Sequence, residues 1–289
     1  MLQESEGYVA RSARNSCRLL FCVVVFLSSS AAQDIEPGNR IDVRIACHVQ
    51  VADKGFTYAY TLSNGDTARQ EVCQFDIRPS EVSRISDLHS PVSWDQVLFT
   101  DGDLIIRWLA QPLEGAGGYV DAIEPRSFRS GFEFTAQSLP SIVTFYAEGH
   151  HSLPKFEVGM ATDSIPGYSD LTPYGPGVVG RTVGPVLPPE PFDPEGFLDT
   201  LLSYTAQSRT LGWIAEQMTA DKYLGYFNFV KASLHDSNLT AARSTLKQVL
   251  HDVDVSSTSA LTSEAYALLR FNTEYVLSQL PLTLPPPKR

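Results

Sequence analysis

Cysteine and long apolar runs are both scarce in this chain. Its 289 residues include 4 Cys and 3 Trp. The longest apolar run is residues 19–27 (LLFCVVVFL). A membrane-spanning helix needs about 20 apolar residues, so this run is too short to be an anchor. Positive charge is also in deficit, with 22 Lys and Arg against 33 Asp and Glu, a net charge of −11. An acidic chain without a basic stripe repels phosphate backbones, which makes nucleic acid and anionic membrane surfaces poor partners. No serine sits in a G-x-S-x-G elbow. No cluster of metal ligands and no paired-carboxylate motif stands out. Motif alone therefore assigns no activity.

The first residues carry the three parts of an export signal. Arg11, Arg14 and Arg18 form a basic flank, residues 19–27 the apolar region, and residues 28–32 a small, polar end. Ser30 and Ala32 stand at the −3 and −1 positions of a cut between Ala32 and Gln33. The expected mature chain is secreted or periplasmic. Cys17 and Cys22 leave with the leader, and Cys47 and Cys73 remain. Two cysteines in an oxidising compartment are expected to form one disulfide.

Residues 40–162 have the two-residue period of half-buried strands. Ile41, Val43, Ile45, Cys47, Val49 and Val51 alternate with mostly polar neighbours. Phe56, Tyr58, Tyr60 and Leu62 alternate after a turn at Gly55, and Cys73, Phe75 and Ile77 after Asn64-Gly65. Further strands are expected at 97–99, 104–109, 131–135 and 142–147. Short strands with turns between them and no helices predict an antiparallel β-sandwich. In a flat meander the first and third strands would lie roughly 9.5 Å apart. A disulfide needs Cα atoms about 4.4–6.8 Å apart. Either strand three pairs with strand one, or it lies in the opposing sheet and the bridge crosses the core.

Residues 163–194 are crowded with Pro and Gly and read as a linker, with a short strand at 181–183. Residues 195–281 change to helical spacing. Phe197, Leu198, Leu201 and Leu202 make one stripe, residues 211–214 open a short second helix, and Leu224, Phe227, Val230 and Leu234 mark a third. A fourth, capped by Asn238, carries Leu246, Val249 and Val253, and a fifth follows Thr262. Short connections predict a small antiparallel bundle, followed by a Pro-rich tail at 282–289. The fold class is thus α+β in two domains, a sandwich and then a bundle.

The helical half resembles the FIMAH domain of exported bacterial proteins. The resemblance rests on Gly212, Ile214, Leu224, Phe227, Ala232 and Leu234, the polar turn at 236–238, then Leu246, Val249, Leu250, Val253, Leu261, Ala265, Leu269 and Val276. It covers about 80 residues and implies an accessory or binding module with no activity to transfer. The β half, with YAYTLSN at 58–64 and GFEF at 131–134, is similar to poorly characterised β domains of exported bacterial proteins.

Several residues invite a site reading. The G-x-G-x-x-G pattern at 175–180 lies in the linker and not between a strand and a helix, so no dinucleotide cofactor is expected. Residues His150 and His151 point to opposite faces unless they lie in a loop. Asp101 and Asp103 flank a turn and supply too few oxygens for calcium. His235 and His251 suit helix C-termini. Trp94 and Tyr119, placed in loops, are the candidate ligand-contact aromatics, and Trp108 lies in a strand. Together these predict no catalytic residue, cofactor or metal ligand. The expected function is an exported, non-enzymatic binding or adhesion module for a polysaccharide or envelope protein. The alternatives are a secreted hydrolase with a loop-built site, favoured by adjacent carboxylates, and a structural envelope protein, favoured by a long uncharged edge strand.

Overall fold

Among the described residues the two-residue alternation is realised as nine strands, and the helical spacing as four helices. The computed structural model describes residues 40–79, 84–101, 103–114, 118–150, 177–256 and 260–281. The strands are β1 Val43–Ala52, β2 Gly55–Asn64, β3 Val72–Arg78, β4 Ile85–His89, β5 Trp94–Phe99, β6 Ile105–Ala110, β7 Ser127–Ala136, β8 Leu139–Gly149 and β9 Val178–Val186. They form two antiparallel sheets, one ordered β1-β2-β7-β4 and the other β5-β6-β3-β8-β9. The expected signal segment and the 282–289 tail lie outside the described residues.

Aromatic residues fill the space between the sheets. Tyr58, Tyr60, Phe132 and Phe134 face inward from the first sheet, and Phe75, Ile77, Ile106 and Trp108 from the second. The rings of Phe75 and Trp108 stack at 5.2 Å, and Tyr60 meets Phe75 edge-on at 5.6 Å. Buried phenol and indole groups need partners. Tyr58 donates to the Ser138 carbonyl at 2.8 Å, Tyr60 to that of Val183 at 2.9 Å, and Trp108 to that of His89 at 2.8 Å. The β1–β2 turn requires Gly55, whose φ is +114°; a Cβ there would lie 2.3 Å from the Ala136 carbonyl oxygen.

The helices are α1 Pro194–Thr210, α2 Gln217–His235, α3 Leu239–Ser256 and α4 Ser263–Gln279. Asp193 caps α1 by accepting from Glu195 N, with Pro194 in the first turn. Asn238 caps α3 by accepting from Ala241 N at 3.1 Å. Thr262 occupies the N-cap of α4, but its side chain makes no cap bond. The short helix expected at 211–214 is absent. Gly212 turns the chain at φ +77°, and Ile214 forms a bridge with Leu261. Each helix packs on two neighbours in a ring, α1–α2–α3–α4 and back to α1. No helix among the described residues is long and apolar enough to cross a membrane.

Two sequence expectations change here. The linker reading fails over 178–186, which form β9; its small residues let it pair with β8 from Leu139↔Val186 to Ala147↔Val178. Cys47 and Cys73 are free, buried thiols and not a disulfide. Strands β1 and β3 do lie in opposing sheets, the second topology the spacing allowed. Yet β3 bulges between Val72 and Gln74, and the two thiols have different neighbours. Cys47 lies against Tyr60, whereas Cys73 donates to the Glu148 carbonyl at 3.5 Å.

Among the described residues bundle and sandwich share one core and belong to one compact unit. Helix α4 packs on β1, β8 and β9 and so covers the side where β1 and β9 end their sheets. Glu264, buried in the first turn of α4, accepts the Cys47 amide of β1 at 2.7 Å. Asn272 donates to the Pro140 carbonyl at 2.8 Å, and Ser141 and Tyr204 are hydrogen-bonded at 2.6 Å. Phe271 packs on Phe56 with ring centroids 5.0 Å apart. The test is a protease site inserted at residues 187–190, between β9 and α1. Once nicked, the two fragments should co-elute on gel filtration and separate only in denaturant. Glu264→Ala, which strands the Cys47 N–H without its acceptor, should lower stability by about 1–3 kcal/mol in chemical denaturation.

Candidate binding edge

Strand β5 ends the five-stranded sheet. Its run Val97, Leu98, Phe99 remains 43%, 38% and 40% exposed. Residues 95 to 100 are all exposed, although an edge strand on a packed sheet usually hides one side. The Gln111 amide donates to the Ser93 carbonyl at 2.9 Å, in the same β5–β6 register that pairs Trp94 with Ala110. That bond fixes the parity of the ladder. Odd residues of β5 direct their N–H and C=O groups at β6, and Gln96 and Leu98 direct theirs outward.

A polar network on the outer sheet face holds this edge. Asp76 of β3 is fully buried and lies level with Arg107 of β6 and Tyr146 of β8. The Arg107 guanidinium donates Nε and one terminal nitrogen to its two oxygens, both at 2.9 Å. Arg78 adds a contact at 3.4 Å. The Asp76 carboxylate raises the Arg107 pKa, chiefly through these hydrogen bonds. Arg107 in turn lies over the Phe99 ring, 5.1 Å from its centroid. A buried anion therefore orients a cation, and the cation covers the aromatic ring at the exposed edge. The neighbouring Tyr146 donates to Glu148 at 2.6 Å, and burial raises its pKa.

The candidate aromatics lie elsewhere. Trp94 is 3% exposed, packs edge-on against Phe132 at 5.0 Å and donates to the Asp121 carbonyl at 3.0 Å. It is a core residue and not a loop contact, because β5 begins at its position and directs it inward. Trp108 is likewise core. Tyr119 is half-buried, hydrogen-bonded to the Cys73 thiol and edge-on to His150 at 5.3 Å. Burial, then Cys73, raises its pKa to about 12. His151, Gly102 and residues 175–176 of the glycine motif lie outside the described residues.

Tyr119 belongs to a titratable cluster at one end of the sandwich that sequence reading did not assemble. Its other members are Glu71, Cys73, Glu124 and His150, brought together where Val72 bridges Ile123 and the His150 amide donates to the Glu71 carbonyl. Burial and the adjacent Glu124 carboxyl raise the Glu71 pKa. Burial, then Glu148, raises Cys73 to about 12, so the thiol stays protonated and is a poor nucleophile. Among the described residues no group of three or more His, Cys, Asp or Glu is placed to hold a metal ion. A separate groove of ≈ 380 Å³ lies where α4 meets the sandwich, lined mainly by Val51, Phe56, Leu139, Phe271 and Tyr275, with Glu274 at its side.

No family model matches this chain. No curated protein matches it either. Among solved structures it is similar to an uncharacterized protein from Nocardia farcinica with an immunoglobulin-like fold. The identity is 12% and the TM-score 0.27, over 47% of this chain and 95% of the other. A likeness at that level bears on neither activity nor ligand.

Two measurements test the site chemistry. At neutral pH burial keeps Cys47 and Cys73 protonated, so in native protein these two thiols should resist iodoacetamide and take up label only on unfolding. A disulfide-linked peptide from native protein would contradict the free thiols. Raising a carboxyl pKa favours the folded state when the group is protonated and disfavours it when ionised. Glu71→Gln should therefore be more stable than wild type at pH 7. The difference should vanish as pH falls below the carboxylate range, as followed by thermal unfolding.

Proposed function

We propose that this protein is an exported binding module. It engages extended polypeptide segments of an extracellular polymer or envelope component by adding a strand at β5. The observation that carries this reading is the β5 edge, an apolar triplet with outward-facing amides and carbonyls held by Arg107 and Asp76. In strand addition, main-chain hydrogen bonds supply affinity and alternate side chains supply selectivity. The basic, apolar and small-residue pattern at residues 11–32 supports export after a cut between Ala32 and Gln33. The four-helix ring supports reading residues 195–281 as a FIMAH-like accessory module. A second reading, a hydrolase, draws support from the adjacent Glu71 and Glu124 carboxyls beside His150.

The test uses the mature chain, immobilised and exposed to an envelope fraction before and after protease treatment. Retention should survive about 1 M salt, because strand pairing on an apolar edge depends little on screened charge. It should be lost after proteolysis of the fraction and fall about tenfold or more with Leu98→Lys. Retention on protease-stripped polysaccharide, indifferent to Leu98→Lys, would contradict it. Turnover of an ester, glycoside or peptide substrate, abolished by Glu71→Gln, would establish the hydrolase instead.

A further inference from the structure

The groove between α4 and the sandwich is walled by aromatic rings at fixed positions. Phe56 and Phe271 pack with centroids 5.0 Å apart, and Tyr275 is held by Phe192 and Phe197 at 5.3 and 5.5 Å. Val51, Leu139 and Pro188 complete the apolar lining, and the volume of ≈ 380 Å³ falls in the range of ligand pockets, about 300–1,000 Å³. The Tyr275 hydroxyl and the Gln137 side-chain amide have no hydrogen-bond partner among the described residues. Aromatic-lined grooves with spare donors bind polyproline II segments. We propose that this groove is such a site, and that its occupant is residues 282–289 of this chain, LTLPPPKR. The inference is independent of the β5 edge.

The chain leaves α4 in the conformation the groove requires. Leu280 has φ −70° and ψ 135°, which is polyproline II geometry, and the following Pro281 disfavours a return to helix there. Ser278, in the last turn of α4, already lines the groove. Phe271 lies roughly 10 Å back along the helix axis from Ser278, at about 1.5 Å per residue. Residues 282–289 span roughly 25 Å when extended at about 3.1 Å per residue. That reach lets Leu282 and Thr283 reverse the chain and bring Pro285, Pro286 and Pro287 level with Tyr275 and Phe271. A polyproline II segment makes no internal hydrogen bonds, so its carbonyls can accept from Tyr275 and Gln137. Its prolines bring no N–H that burial would leave unpaired.

Charge selects the same occupant. The prolines are followed by Lys288 and Arg289, and the rim of the groove is acidic. Burial, then the nearby Glu190 carboxylate, raises the Tyr275 pKa, which places Glu190 beside the groove. Glu190 is exposed and has no cation partner among the described residues. Glu274 lines the groove and receives only part of a cation, because Arg270 donates both to it and to Asp254. Tethering adds to this complementarity. A segment joined to its groove by so short a connection sits at an effective concentration of order millimolar, so it excludes free segments of similar sequence unless they bind more tightly.

The test is an NMR titration with the synthetic peptide LTLPPPKR, comparing the full mature chain with one that stops at Pro281. The shortened chain should bind the peptide, with shifts at Val51, Leu139 and Tyr275 moving to their values in the full chain. The full chain, its groove filled, should bind it about tenfold more weakly or worse. The full chain carrying Pro285→Ala, Pro286→Ala and Pro287→Ala keeps every described residue and should take up the peptide as the shortened chain does. A peptide with Lys288→Glu and Arg289→Glu should bind the shortened chain about tenfold more weakly, and Glu190→Lys should restore part of that loss. No response of the shortened chain or of the triple proline variant overturns the site. Binding indifferent to the proline and charge changes overturns the proposed recognition. Equal uptake by full and shortened chains overturns residues 282–289 as the occupant. Concentration-dependent self-association that shortening abolishes would assign the segment to a second copy and overturn docking within one chain.

Discussion

One buried hydrogen bond organises the molecule: the Cys47 amide of the sheet edge β1 donating to Glu264 of α4 at 2.7 Å. A two-sheet sandwich has open sides where its sheets end, and backbone groups buried there must find partners. Here a helix closes one such side. Glu264 takes an amide from β1, Asn272 donates to the carbonyl preceding Ser141 of β8, and Phe271 packs on Phe56. The bundle thereby seals the seam between β1 and β9. That is why sandwich and bundle share a core although the sequence divides sharply between two periodicities.

Closing that side leaves the opposite one, where β4 and β5 end their sheets. Strand β4 is short and irregular, whereas β5 is regular and apolar. Its exposed face is backed by a chain of contacts that begins at buried Asp76 and passes through Arg107 to Phe99. A desolvated carboxylate held by a bidentate Arg107, with Arg78 and Gln74 also donating to it, is a rigid anchor. Rigidity at a docking strand lowers the entropy lost on pairing. The same helix that blunts one edge therefore leaves the other, at β5, exposed.

The parts legible in the sequence were those governed by local periodicity. Tyr58, Tyr60 and Leu62, or Leu246, Val249 and Val253, announce their buried faces by spacing alone, and Asn238 announces its cap. Strand β9 was obscured because Gly180, Gly184 and Pro185 mimic a linker; its pairing is decided by β8, more than thirty residues away. Trp94 read as a loop aromatic because the start of β5 carries no alternation of its own. The disulfide expectation followed from compartment, but a bulge at Cys73 and the tyrosines around Cys47 give the thiols separate surroundings. The edge itself had a signal, the uninterrupted triplet at 97–99. Its exposure depends on where β5 falls in the sheet order, which spacing does not encode. Asp76 and Arg107 likewise become a pair only through the β3–β6 register.

Residue-resolved amide hydrogen exchange on dilute native protein tests the central claim, that α4 seals one edge and leaves β5 open. The Cys47 amide should exchange only through global unfolding, among the slowest in the chain, while the outward Gln96 and Leu98 amides exchange orders of magnitude faster. Fast exchange at Cys47, or strong protection at Gln96 and Leu98 in dilute monomer, would contradict it.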